Sequence, residues 1–157
     1  MITPKMTEVE VQASVGPNAG YYLSRWKPLL DGQDWSGFNW AACIFSGLWL
    51  PYRKMYLAAL VYYGFASLDL VMEHVASRPG SSSETAGVLQ FGAAVVCGAF
   101  GNQWYFRHTA KLIAEARARA LPDAELSQLL CQRGGTSVLA PIGFMVALGV
   151  VAALVGS

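Results

Sequence analysis

Asp69, Glu73 and His74 come closest in this chain to a set of residues that could do chemistry. Asp69 is the one carboxylate inside an apolar block, and an ionisable group in such a block is a candidate proton or cation site. Glu73 and His74 follow one turn later and would complete it. The plainer reading is that Asp69, near the end of its block, simply reaches water. Elsewhere the search for chemistry is empty. There is no paired-carboxylate arrangement, no Ser-His-Asp set, and no Cys–His pair with an orienting partner. The cysteines, Cys43, Cys97 and Cys131, are odd in number and widely spaced. That argues against a disulfide framework and against a zinc site. His108 beside Arg107 reads as a lipid-headgroup contact rather than a base. Gly134-Gly135-Thr136-Ser137 opens a helix and offers free N–H groups to an anion. It lacks the spacing of a phosphate loop, and a structural cap is the simpler role. The expectation is a non-catalytic protein with no metal and no cofactor.

The elements that would carry these residues are set by composition. The chain has 157 residues, is 54 % hydrophobic and only 13 % charged, against about 25 % charged in an ordinary soluble domain. The net charge of +1 gives no field to attract nucleic acid, so none is expected as a partner. The apolar residues cluster in blocks. This predicts an all-α integral membrane protein with three transmembrane helices, over about 55–72, 86–106 and 137–155. Residues 1–34 read as a polar cytoplasmic segment, with a helical piece at Tyr21–Leu30 lying on the membrane surface. Residues 35–157 then form a single helical membrane domain.

The block 38–52 is too short to span. Asn39 to Leu50 covers about 18 Å as a helix, whereas a bilayer core is about 30 Å thick. It reads as a short re-entrant or interfacial helix, and a four-span arrangement stays open. After 106 the pattern continues into a cytoplasmic helical hairpin, 107–121 and 123–131, broken at Pro122. With three spans, ten of the eleven Lys and Arg residues share one side and Arg78 faces the other. That places the N-terminus in the cytoplasm and the C-terminus outside.

Two surfaces stand out. Ala94, Gly98 and Asn102 recur every fourth residue, as do Gly149 and Ala153, and such small-residue stripes suit close helix packing or a partner subunit. Tyr52, Arg53, Lys54 and Tyr56, with Arg107 and Lys111, form a basic and aromatic set suited to lipid headgroups.

Phe38-Asn39-Trp40-Ala41-Ala42, followed by Trp49-x-x-Tyr52-Arg53-Lys54-Met55-Tyr56, resembles the hallmark of a bacterial membrane-protein family, domain of unknown function 2628. Gly101-Asn102 with Tyr105 and Arg107-His108 fits the same pattern, as does Gly134-Gly135-Thr136-Ser137. The resemblance covers roughly residues 20–155. Pro51 is a departure, where the family more often carries an aliphatic residue. The resemblance implies a bacterial inner-membrane location and no particular activity. The function expected is an accessory or interaction subunit of a larger inner-membrane assembly, in contact with membrane lipids and other subunits. An oligomeric transporter or channel is the alternative, and an anionic-lipid-binding protein a weaker one. A homo-oligomer is compatible with all three.

Overall fold

The computed structural model describes residues 6–76 and 82–155, and the side chains at 66, 68–76, 82–86 and 154–155 lie outside that description. Seven helices make up the described chain: α1 (Glu8–Val15), α2 (Ala19–Leu30), α3 (Trp40–Tyr52), α4 (Tyr56–Ala76), α5 (Ser82–Arg117), α6 (Asp123–Arg133) and α7 (Leu139–Val155).

The spine is α5, whose 36 residues extend about 54 Å. Its C-terminal half buries Asn102, Tyr105, Phe106, Thr109, Ala110, Ile113 and Ala116. Those positions follow the i, i+3, i+4, i+7 rule of a helix with one inward face. Around this face pack α1, α2, α3 and α6. They contribute Val11 and Val15, Tyr22 and Trp26, Ala42, Trp49 and Leu50, and Leu130. Helix α5 stops where Ala120 adopts φ +50, just ahead of Pro122.

The segment read as a polar lead therefore folds into two core helices. Thr7 caps α1: its hydroxyl accepts from Glu10 N at 3.3 Å, and its own N–H donates to Glu10 Oε2 at 2.8 Å. This is a reciprocal capping box. The same Glu10 carboxylate accepts from Arg117 Nε and Nη2, both at 2.6 Å, so it ties α1 to the end of α5. Burial alone would raise the Glu10 carboxyl, but the hydrogen bonds from Arg117 and Thr7 outweigh it and hold it below its ordinary 4.5. A carboxylate with a depressed folded pKa contributes stability above its unfolded value and loses it as pH falls through the folded one. The melting temperature should thus decline as pH drops below about 4.5, and Glu10→Gln should flatten that part of the profile. An unchanged acid limb in the variant would show that the pair contributes nothing.

Among the described residues, no helix is long and apolar enough to cross a membrane. This overturns the three-span expectation and the four-span variant alike. The most apolar helix, α7, has 17 residues and reaches about 25 Å, short of the roughly 30 Å hydrocarbon layer. Helix α4 is longer but carries Asp69, Glu73 and His74 in its C-terminal half. Helix α5 breaks its apolar run with Gln90, Asn102 and Gln103 and then turns charged. The block 38–52 is no re-entrant loop either. It is α3, packed between α4, α5 and α7 and broken at Ser46, whose φ of 40° and ψ of −113° are non-helical. The assignment of loops to two sides of a membrane presupposed those spans.

Candidate functional site

The polar centre of the fold is built on two asparagines. Asn39 precedes α3, and its Oδ1 caps that helix by accepting from Ala42 N at 3.0 Å. Its Nδ2 donates to Asn102 Oδ1 at 2.9 Å. Asn102 Nδ2 donates in turn to Gly37 O at 3.1 Å and Ser36 O at 3.3 Å, so every polar atom of this fully buried amide is used. The Asn102 carbonyl accepts from Trp26 Nε1 at 3.1 Å. One turn of α5 thereby fixes α2, the 36–39 segment and the start of α3. A close approach makes this possible: Asn39 N donates to Gly98 O at 2.8 Å. A Cβ at Gly98 would lie 2.8 Å from Cys43 Cβ and nearer still to the Phe38 ring.

Beside this node lies Arg53, at the C-cap of α3 and only 5 % exposed. Its guanidinium carbon sits 4.8 Å from the Tyr22 ring centre, 5.0 Å from Tyr105 and 5.5 Å from Tyr52. Nε and Nη1 find no hydrogen-bond partner among the described residues, and neither does the Tyr105 hydroxyl. The three ring faces and the negative end of α3 are what compensate the charge. Burial pushes the Tyr105 hydroxyl up to about 12 and raises Tyr22, while Arg53 pulls both the other way. Both phenols are protonated at neutral pH.

The expected headgroup set is therefore divided. Arg53 is a core residue, which corrects its assignment to a lipid interface. Lys54 donates to Gln132 O at 2.9 Å. Tyr52 is half-buried, Tyr56 is partly exposed, and Arg107 and Lys111 are exposed, Lys111 near Glu115 at 3.8 Å. The packing set divides too. Gly98 and Asn102 are spent on internal contacts with the 36–43 segment. Ala94 lines a groove with Cys43, Ile44 and Phe45. Gly149 has nothing within 4 Å of a Cβ, and Ala153 is exposed. Of the candidate ion site, α4 carries the backbone of Asp69, Glu73 and His74, and their side chains lie outside the described residues.

Among the described residues, no three His, Cys, Asp or Glu side chains gather to hold a metal. Burial and nearby Cys43 push the Cys97 thiol up to about 11, so it is held as the thiol at neutral pH. Burial also lowers His108. What the arrangement offers is a rigid polar and aromatic centre at one end and, at the other, an uncovered apolar surface on α4, the first half of α5, and α7.

Sequence reading misses Asn39, Tyr22 and Tyr105 as partners of the centre. The usable signals were Asn39 standing just ahead of an apolar run, and Tyr22 and Trp26 four residues apart.

Fold and site together define an all-α protein organised on one long spine helix with an asparagine and aromatic centre. Residues 8–111 match the family described as "Protein of unknown function (DUF2628)", more than half of the chain, and the chain belongs to that family. The match runs from the first residue of α1 into the last turns of α5; α6 and α7 lie beyond it. No curated protein matches the chain, and no solved structure does.

Proposed function

We propose that this is a non-catalytic accessory protein of the bacterial inner membrane, which docks α7 against an apolar helix of a membrane-embedded assembly. The observation that carries the reading is the outer face of α7. Ile142, Met145, Val146, Gly149, Val150 and Ala153 follow helical spacing and are all exposed. No charged residue lies between Gly134 and Ser157. Backbone to backbone, α7 approaches only α3 among the described residues, and through side chains Phe144 stacks on Tyr56 and Tyr63 of α4. A charge-free helix held along one side is a surface that wants a partner. Gly149 and Ala153 let a second helix come close.

The other readings draw less support. Asn102 is saturated by protein groups and cannot line a solute path. With Arg53 buried, Lys54 engaged and Lys111 paired with Glu115, the basic set offers an anionic headgroup little beyond Arg107.

Native mass spectrometry of the protein extracted from its own membrane fraction in mild detergent tests the proposal. The wild type should carry other subunits at fixed stoichiometry. Val146→Glu with Val150→Glu should release the chain while its circular dichroism stays unchanged. A free chain or pure homo-oligomer in the wild type, or a complex that survives the double substitution, sinks the reading.

A further inference from the structure

We infer that the groove between α4 and α5 binds a long-chain neutral lipid, an apolar chain ending in an uncharged hydroxyl. The groove has a volume of about 980 Å³, at the upper end of small-molecule sites. Its walls are Leu57, Val61 and Phe65 of α4 and Val88, Leu89 and Val96 of α5, with Leu50 and Cys97 as its buried floor. From Val88 to Trp104 it follows α5 for about 24 Å, which suits an extended chain rather than a compact ligand.

The polar groups are what define the class. Among the described residues no charged one lines the groove; its hydroxyl and side-chain amide are Tyr62 and Gln90, and the Trp104 indole lies at the far end. Tyr62 and Gln90 meet near the end marked by Phe65 and Val88, where Gln90 Nε2 donates to the Tyr62 hydroxyl at 3.1 Å. Because that hydroxyl accepts, its own proton remains to be donated, and Gln90 Oε1 remains as an acceptor. One donor beside one acceptor is what a hydroxyl head requires. An ionised carboxylate or phosphate would find no cation there among the described residues to pair with. The head therefore sits at Gln90 and Tyr62, and the tail runs toward Leu50, Cys97 and Trp104. The groove does not involve α7, so this inference and the docking of α7 stand or fall separately.

Retinol is a suitable probe: it is a neutral isoprenoid alcohol, it fluoresces, and Trp104 in the groove wall can transfer energy to it. With the purified chain in dodecyl maltoside micelles, transfer should saturate at one retinol per chain. Ala93→Trp and, separately, Ala58→Trp should abolish it by filling the groove, and these variants also remove micelle partitioning from the comparison. Gln90→Leu should weaken binding about fivefold, the value of one hydrogen bond. Retinoic acid at pH 8 should bind about tenfold or more weaker than retinol, because its carboxylate is left unpaired. Competition by farnesol or by 1-hexadecanol tells an isoprenoid from a straight-chain occupant. The inference is overturned if both filled variants that retain wild-type circular dichroism transfer energy as wild type does. It is equally overturned if retinoic acid matches retinol, or if neither alcohol competes.

Discussion

Asn102→Ala should lower stability by about 3 kcal/mol or more, read as a fall of about 6–12 °C in melting temperature for a chain of this size. The reason is what the substitution leaves behind. Asn39 Nδ2 loses its acceptor, and the carbonyls of Ser36 and Gly37 lose their donor, all within a core where Asn102 is 0 % exposed. An unsatisfied buried group costs more than the net value of the hydrogen bond it made. Asn102→Asp should be worse, since a carboxylate brings no donor and would face two carbonyl oxygens. Removing Asn39 as well should cost less than the sum of the two single changes, because the second removal takes away the group the first one stranded. Strict additivity in thermal melts of N39A, N102A and the double variant would break this account.

The pattern of apolar blocks made the helices legible, and it did so for a physical reason. The inward positions of α5 recur at helical spacing, and that spacing is the same whatever the helix packs against. What covers the apolar surface is a different question, and composition does not answer it. Tyr21–Leu30 reads as a membrane-surface segment because Tyr22, Trp26, Leu29 and Leu30 recur at helical spacing, and an aromatic ring with a polar tip suits a lipid interface. The same chemistry suits a protein core that supplies the partner, and here Asn102 O supplies it for Trp26. Arg53 fails in the same way: beside Lys54 and two tyrosines it reads as a headgroup contact, whereas it is caged by Tyr22, Tyr52 and Tyr105. The Thr7 capping box was open to sequence reading through its Thr-x-x-Glu spacing, and it marks a second helix in a segment whose glycines and prolines allow no long one. The pairing of Glu10 with Arg117 could not be read at all, because 107 positions separate the two. The uncovered half is where sequence and structure leave the same open question: a low-charge surface on α4, α5 and α7 whose contacts are incomplete among the described residues.

Gly134→Ala should be among the most damaging single changes, at about 3 kcal/mol and roughly 6–12 °C in melting temperature. Its neighbour provides the control. Gly135 has φ +73 and open space around a Cβ, so Gly135→Ala meets only backbone strain, worth about 1 kcal/mol. Gly134 has an ordinary φ of −86, but a Cβ there would lie well inside 3.0 Å of the Ser14 carbonyl oxygen and 2.8 Å from Leu130 O. Neither atom is the tip of a flexible side chain. Relief requires α6 to move away from α1, which breaks the 2.6 Å hydrogen bond from Gly135 N to Ser14 O and loosens Leu130 against Val11 and Val15. The Gly-Gly pair therefore serves the α1–α6 contact first and the turn into α7 second, where Ser137 Oγ accepts from Ala140 N at 3.3 Å. Differential scanning fluorimetry of the two alanine variants decides the matter. A larger loss at Gly135 than at Gly134 would mean that backbone conformation, not the close approach of α1, is what the pair provides.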